Sequence, residues 1–282
     1  MSTELDIEIA DIRRLTELIK DKYGYDFRDY AMSSFRRRIK RVIELYKFKT
    51  VDKLIQVLDT TPSFFEEFIS EITVNVTEMF RDPTFWRVLK EQIIPNIIMN
   101  HDRISIWHAG CSSGEEVLSM VILLYEMGFL DKAKITATDI DTAIINKAKT
   151  ATIAQKNMEL NQKNYQAAFG VEGAPPPNLR KYFRDVGQEA VFDKSLLQNV
   201  TYRKHDLVQG PVFSKFDLVL CRNVMIYFNQ NLQNAVLAKL HESLFKYGYL
   251  AIGSKESLIW CDIANKFIVV NNEEKIYKKI KD

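Results

Sequence analysis

The chain has 282 residues, 46% hydrophobic and 27% charged, which supports a buried core and excludes a disordered chain; the net charge of +2 excludes a globally basic nucleic-acid binder. Three widely separated cysteines predict reduced thiols in a cytosolic protein, and four histidines without ligand spacing predict no metal. Residues 1–6 do not read as a signal peptide, and no apolar run is long enough to span a bilayer.

The first third of the chain predicts helices and no strand before residue 100. Apolar residues recur at helical spacing over 7–23, 31–46 and about 51–58. A further helix is expected to start at Thr61-Pro62, an N-cap followed by proline at the first helical position. We therefore expect an all-helical domain over residues 1–72 and a second domain over 73–282.

The predicted helix over 31–46 has a strongly cationic face. Its positive residues are Arg36, Arg37, Arg38, Lys40 and Arg41. Five like charges on one helix repel one another unless something compensates them, which favours a docking surface for an acidic partner. A solvated polar face is the alternative interpretation, since charge runs commonly have no other role.

Strands and helices alternate beyond residue 100. The strand predicted over 104–110 runs into the glycine loop 110–114 and then a helix, a unit that lets the backbone approach a ligand closely. Glu115 and Glu116 at the helix start complement the helix dipole, and they would also repel phosphates. A second strand ends at Asp139, where this architecture holds a ribose. These features fit a cationic nucleoside such as S-adenosylmethionine better than NAD, whose glycine fingerprint is absent.

The segment at about 156–198 interrupts the alternation. A stiff proline run and short β-prone pieces predict a small antiparallel insertion, either a structural cap or a partner-binding element. The pattern resumes with strands at 200–207, 216–221 and 249–253 and a helix over about 230–246. Arg222, Asn223 and Tyr227 follow the strand 216–221 at its carboxyl end, where open α/β sheets bind ligands. A core strand followed by a capped turn is the alternative.

Five segments, in order and spacing, resemble the CheR-type chemotaxis receptor methyltransferases, which use S-adenosylmethionine to methylate glutamate side chains on chemoreceptors. They are residues 73–81, 110–116, 137–142, 178–184 and 221–228, which are spread over residues 73–228. The last is highly specific, whereas the glycine loop alone is weak. The resemblance implies an α/β class I (Rossmann-like) methyltransferase domain with a small antiparallel β insertion, preceded by a small all-α domain.

The resemblance also implies roles for individual residues. Contacts to S-adenosylmethionine, and to its product S-adenosyl-L-homocysteine, are implied for Asn75, Thr77, Arg81, one of Glu115 and Glu116, Asp139, Asp206, Leu207, Arg222 and Asn223. Tyr227 is implied beside the transferred methyl, with Arg81 as a second catalytic candidate. The basic helix is expected to face the acidic helical bundle of a receptor. Asp206 departs from the asparagine common in the family, and a carboxylate accepts from the adenine amino group but cannot donate.

The chemistry expected of a receptor glutamate is simple. With an ordinary pKa of about 4.3 it is ionised at neutral pH, so no general base is needed. The site has to position the acceptor in line and exclude water. Tyr227 suits orientation of the acceptor, while Arg81 and Arg222 suit holding the cofactor carboxylate or ordering the loop.

Two alternatives remain at this stage. One is a methyltransferase of the same fold acting on another protein, on RNA or on a small molecule. The other is a cofactor-binding scaffold without activity, against which intact Asn75, Arg81, Asp139 and Tyr227 argue. For the preferred function we expect a cytoplasmic monomer without a nucleic-acid partner and without membrane insertion.

Overall fold

The computed structural model describes residues 7–73 and 75–281, so the predictions made for residues 1–6 lie outside the described residues. The α-helices are α1 (Ile9–Tyr23), α2 (Met32–Leu45), α3 (Val51–Thr60), α4 (Phe64–Ile72), α5 (Pro83–Val88), α6 (Ile94–Asn100), α7 (Glu115–Glu126), α8 (Thr142–Thr150), α9 (Met158–Phe169) and α10 (Gln230–Glu242), with a π-helical turn, Leu89–Ile93, between α5 and α6. The strands are β1 (Ile104–Ala109), β2 (Ala133–Asp139), β3 (Thr152–Ala154), β4 (Phe183–Val186), β5 (Glu189–Phe192), β6 (Val200–Lys204), β7 (Phe216–Cys221), β8 (Leu244–Ile252), β9 (Phe267–Asn271) and β10 (Ile276–Lys279).

Helices α1–α4 pack around an apolar core of their own. The buried residues of α2 are Phe35, Ile39, Val42 and Ile43, whose spacing places them on one face of the helix. The predicted start of α4 is wrong by two residues. Residues 61–63 form a turn before the helix, in which the Phe64 amide donates to the Thr61 carbonyl at 3.0 Å.

The large sheet has seven strands in the order β6-β2-β1-β7-β8-β10-β9. Strands β6, β2, β1, β7 and β8 run parallel, and β10 pairs antiparallel with both β8 and β9. From β1 the chain proceeds first to β2 on one side and later to β7 and β8 on the other. The carboxyl ends of β1 and β7 therefore flank the topological switch point, where ligands bind in such sheets. The predicted α/β fold is confirmed.

A second, antiparallel sheet of three strands has the order β3-β5-β4. The predicted antiparallel insertion is present, but β3 precedes the expected start at residue 156 and α9 lies inside it. No sequence pattern predicts α9, because Asn161 occupies its core face and weakens the apolar period. This amide is buried since its Oδ1 accepts a hydrogen bond from the Met79 amide at 3.1 Å. Strands β9 and β10 are likewise unpredicted.

Asp141 joins the helical unit to the large sheet. Its Oδ1 accepts hydrogen bonds from the amides of Ala143 (2.8 Å) and Ile144 (3.3 Å), which caps the amino terminus of α8. Its Oδ2 accepts from the Ser70 hydroxyl of α4 at 2.7 Å and from Asn75 Nδ2 at 3.3 Å. The Asp141 side chain is fully buried, and through these hydrogen bonds this single carboxylate holds α4 against the start of α8.

Two global features concern the described part of the chain. Within residues 7–73 and 75–281, no helix is long and apolar enough to cross a membrane. The three cysteines, Cys111, Cys221 and Cys261, are buried as free thiols.

Replacement of Asp141 by alanine should lower the free energy of unfolding by about 2–4 kcal/mol. The change removes a helix cap, which costs about 0.5–2 kcal/mol, and leaves the Ser70 hydroxyl unpaired, which costs about 1–3 kcal/mol. Asp193→Ala is the matched control, because Asp193 is an exposed cap that bonds the Ser195 amide at 3.0 Å. Urea denaturation followed by circular dichroism measures both. Equal losses in the two variants would show that Asp141 acts only as a cap.

Candidate functional site

A cleft opens at the carboxyl ends of β1 and β7, between the large sheet and the helical unit. Most of the predicted site residues line it, namely Asn75, Thr77, Arg81, Glu116, Asp139, Asp206, Leu207, Arg222, Asn223 and Tyr227. Residues that no motif predicts also line it, among them Tyr30, Ser112, His205 and Phe228. Segments from both parts of the chain therefore form one site.

The glycine loop between β1 and α7 forms one wall of the cleft. The amides of Gly110 and Cys111 both donate to the Thr138 carbonyl, at 2.9 and 2.8 Å, which ties the loop to the end of β2. Gly110 has a φ of 80°, and a Cβ atom there would lie 2.6 Å from Val224 Cγ2. Only glycine allows this close approach of the loop to the segment after β7.

Asp139 connects the glycine loop to the start of the next turn. Its carboxylate accepts hydrogen bonds from the amides of Ser112 at 2.9 Å and Asp141 at 3.1 Å. The residue is 8% exposed, and burial raises the pKa of its carboxyl group. The buried Ser112 hydroxyl beside it has no hydrogen-bond partner among the described residues. An acceptor next to an unsatisfied hydroxyl suits the hydroxyl groups of a ribose.

Of the two adjacent glutamates, Glu116 faces the cleft and Glu115 does not. Glu116 Oε1 lies 2.9 Å from His108 Nδ1, and its Oε2 accepts from Arg222 Nη1 at 3.2 Å. Burial alone would raise the pKa of Glu116, but the His108 hydrogen bond and the Arg222 charge hold it below its ordinary value. Glu115 instead accepts from the Ser113 hydroxyl at 2.6 Å, and its burial raises its pKa.

The arginines of the cleft fall into two groups. The Arg222 side chain is 2% exposed, pairs with Asp82 at 2.6 Å and with Glu116, and lies 3.9 Å from the centroid of the Phe85 ring. The positive charge of Arg222 is therefore compensated. We infer that Arg222 orders the segment after β7 and does not bind an anionic ligand. Arg38 and Arg81 line the same cleft, and within residues 7–73 and 75–281 neither has a carboxylate partner. These two cations remain available to an anionic ligand.

The Glu256 carboxylate holds the segment that carries Tyr227. It accepts hydrogen bonds from the amides of Asn223 and Ile226, both at 3.2 Å, and from the Gly253 amide. Asn223 has a φ of 62°, in the left-handed region that asparagine adopts more readily than most other non-glycine residues. Glu256 is buried, and burial raises its pKa. No sequence signal marks it, because it acts only through backbone amides of a distant segment.

Tyr227 is half-buried, with its phenol beside the two uncompensated arginines. Burial raises the pKa of the phenol, although the charges of Arg38 and Arg81 act in the opposite direction. The hydroxyl therefore stays protonated at neutral pH. It can donate or accept a hydrogen bond but cannot serve as a base.

The loop after β6 closes the opposite end of the cleft. Asp206 Oδ1 accepts from the Val208 amide at 2.7 Å, and Lys239 Nζ donates to the Gly210 carbonyl at 3.1 Å. Burial raises the pKa of Asp206, and it lowers the pKa of His205 to about 4, so this imidazole is neutral at pH 7. The loop is thus prearranged, with one Asp206 oxygen already used by its own backbone.

The basic residues of α2 point in different directions, because successive helical residues are about 100° apart. Arg38 lines the cleft, whereas Arg37 and Arg41 are exposed, the latter 3.4 Å from Glu71. Arg36 and Lys40 are partly buried. The docking face predicted for Arg36, Arg37, Arg38, Lys40 and Arg41 remains a prediction. Arg37 and Arg41 are its exposed members, and Arg38 also lines the cleft. Among the described residues, no cluster of three or more His, Cys, Asp or Glu side chains could hold a metal ion.

Comparisons with known proteins give the same family for both parts of the chain. The all-alpha domain of CheR methyltransferases matches residues 10–73, and the SAM-binding domain of CheR methyltransferases matches residues 75–276. The Pseudomonas putida protein Cher3 is 37% identical over 279 residues, which are 99% of this chain and 100% of that protein. A chemotaxis protein methyltransferase of Listeria innocua is 31% identical over 256 residues, 90% of this chain and 92% of that protein.

Solved structures give a more distant likeness. The N-methyltransferase NodS from Bradyrhizobium japonicum, in complex with S-adenosyl-L-homocysteine, is 12% identical, with a TM-score of 0.34 over 61% of this chain and 63% of that chain. The family matches, in contrast, take in both parts of the chain and confirm the resemblance carried by the five sequence segments. The chain belongs to the CheR methyltransferase family, with an all-alpha domain followed by a domain that binds S-adenosylmethionine.

Proposed function

We propose that this chain transfers the methyl group of S-adenosylmethionine to glutamate side chains of a chemoreceptor in the cytoplasm. The observation that carries the proposal is the Arg38 guanidinium, which has no carboxylate partner among the described residues, beside the protonated phenol of Tyr227. This arrangement attracts and orients an anionic acceptor at one end of a nucleoside-sized cleft. The names of relatives such as the Listeria innocua chemotaxis protein methyltransferase support the same reading.

The residues present fit the cofactor. Asp139 and the Ser112 hydroxyl would hold the ribose, and the Asp206 carboxylate with the Leu207 backbone would hold the adenine. Arg81 would hold the carboxylate of the amino-acid end. The other predicted cofactor residues that line the cleft beside it are Asn75, Thr77, Glu116, Arg222 and Asn223. When bound, S-adenosylmethionine supplies an electrophilic methyl group on a positively charged sulfur.

The acceptor side needs orientation rather than proton removal. A receptor glutamate is ionised at neutral pH, and the Tyr227 hydroxyl can donate a hydrogen bond to one carboxylate oxygen and leave the other to react. Glu256 keeps Tyr227 in place through the backbone of its segment. The reaction discharges an anion and a cation together, so the apolar surroundings of Tyr227 and Phe228 favour it.

In this proposal the receptor docks on the helical unit. Arg37 and Arg41 are exposed on α2, next to the cleft that Arg38 enters from the same helix. An acidic receptor helix lying along α2 would bring its glutamates towards Tyr227. In this proposal residues 1–72 guide the substrate, residues 73–282 carry the transfer, and a monomer suffices without nucleic acid or membrane insertion.

Calorimetry with S-adenosyl-L-homocysteine tests the cofactor assignment. Asp139→Asn should weaken binding by about 1–3 kcal/mol, the cost of losing a charged hydrogen-bond partner. Asp193→Asn, at an exposed carboxylate outside the cleft, is the matched control and should leave the affinity unchanged. Asp206→Asn, at the adenine end, should bind as tightly as the wild type or tighter. Its amide oxygen can still accept from the Val208 amide, and its nitrogen gains a donor for the adenine ring. Wild-type affinity in Asp139→Asn would remove Asp139 from the site.

Methyl transfer itself is tested with methyl-labelled S-adenosylmethionine and membranes that contain the chemoreceptors of the source organism. The wild type should place base-labile label on a receptor band. Tyr227→Phe should lower turnover by about 10- to 100-fold, as expected for loss of one orienting hydrogen bond of roughly 1–3 kcal/mol, with cofactor affinity unchanged. Label on RNA or on a small molecule, and none on receptors, would refute the proposed substrate. Full turnover in Tyr227→Phe would mean that the hydroxyl takes no part in the reaction and that Tyr227 only packs.

The double variant Arg37→Glu/Arg41→Glu should slow receptor methylation without changing cofactor affinity, because both side chains are exposed and outside the cofactor contacts. The wild-type rate should also fall with added salt, since exposed charges are screened over about 8 Å at physiological ionic strength. Lys246→Glu/Lys278→Glu, in β8 and β10 of the large sheet and outside the cleft, is the control for altered net charge. A salt-independent rate and a fully active α2 variant would leave the basic face with only a solvating role.

A further inference from the structure

Tyr30 belongs to the helical unit but forms part of the cofactor cleft. It lies between α1 and α2, and its ring packs against the apolar core of the helical unit and against the cluster beside β7. The ring centroid is 4.8 Å from that of Phe27 and 5.1 Å from that of Phe228, both in edge-on contact. Packing from both sides leaves the ring one orientation, which is the requirement for a residue that positions a ligand.

Backbone hydrogen bonds fasten the Tyr30 segment to the segment that contains Tyr227. The Ala31 amide donates to the Tyr227 carbonyl at 2.8 Å, and the Asn229 amide donates to the Asp29 carbonyl at 2.9 Å. The Asn229 side chain adds a bond to Asp29 Oδ1 at 2.9 Å. Tyr30 and Phe228 thus face each other as an antiparallel bridge between the two parts of the chain. Residues 29–31 act as a strap across the cleft.

The Tyr30 hydroxyl has no assigned partner. Within the described part of the chain the structure gives it no hydrogen bond, although the residue lines the cleft. Burial, with the nearby charges of Asp206 and Asp139, raises the pKa of this phenol, so it remains protonated. Tyr30 is only half-buried and lines the same cleft as Asp139 and Asp206, so a ligand bound there can supply the hydrogen-bond partner that the protein does not.

We propose that Tyr30 is a nucleoside-contacting residue, whose hydroxyl hydrogen-bonds the adenosine part of the cofactor between Asp139 and Asp206 while its ring covers that part from the helical side. This inference rests on the proposed use of the cleft for S-adenosylmethionine. It gives the helical unit a second role, because the unit then completes the cofactor site as well as guiding the substrate. The strap also links the occupied nucleoside site to the position of Tyr227.

The test compares binding of S-adenosyl-L-homocysteine and 5′-methylthioadenosine, which lacks the amino-acid part, to full-length wild type and Tyr30→Phe by calorimetry. The variant retains the ring and its packing and loses only the hydroxyl. Both ligands should bind about 5- to 10-fold more weakly, the loss expected of one hydrogen bond. Tyr46→Phe is the matched control, because that hydroxyl bonds Glu67 at 3.0 Å on the helical unit, away from the cleft, and its loss should change neither affinity.

Thermal unfolding of each variant without ligand shows whether the hydroxyl stabilises the fold instead of contacting the ligand. Tyr30→Phe should unfold at the same temperature as the wild type. Wild-type affinity for both ligands in Tyr30→Phe would overturn the inference. A loss restricted to S-adenosyl-L-homocysteine would also overturn it, because the hydroxyl would then serve the amino-acid end. Failure of receptor methylation would count against the proposed function alone, since the Tyr30 test measures binding without any acceptor.

Discussion

Two buried carboxylates at the end of β2 determine how the parts of this molecule meet. Asp139 holds the glycine loop through the Ser112 amide, and Asp141 holds both the start of α8 and the Ser70 hydroxyl of α4. A buried carboxylate that loses its hydrogen-bond donors carries a large desolvation cost. Moving either the glycine loop or α4 away from these carboxylates is therefore unfavourable. The separation between the helical unit and the loop is thereby fixed, and the width of the cleft follows from it.

The parts of this design that depend on local sequence could be predicted. Short apolar runs ending in glycine or an acid predicted the central strands, and strand ends of a parallel sheet meet at one edge, so the glycine loop and Asp139 were expected together. The rest depends on docking between distant segments. Tyr30 and Glu256 reach the site only after the helical unit and the turn beyond β8 are in place. Whether Glu115 or Glu116 faces the cleft depends on the rotation of α7 about its own axis. The sequence of two adjacent glutamates does not reveal that rotation.

Charge compensation separates side chains that look alike in the sequence. Arg222 is neutralised by Asp82 and Glu116 and packs on an aromatic ring, so it acts as a structural cation. Arg38 and Arg81 lack such partners among the described residues, and both line the cleft. In the proposed reaction Arg81 pairs with the cofactor carboxylate and Arg38 attracts the anionic acceptor, while the compensated Arg222 does not bind the acceptor so tightly that its reactivity is lost.

Because the strap at residues 29–31 joins distant segments, the site forms only when the whole chain has folded. The walls of the cleft come from segments as far apart as Tyr30 and Tyr227, with Glu256 behind them, so contacts of very long sequence separation have to form before a nucleoside can bind. Partly folded forms in which the helical unit is undocked have no complete site. The ligand therefore selects the fully assembled protein and stabilises it as one cooperative body, by about 2.7 kcal/mol at a ligand concentration roughly a hundredfold above Kd.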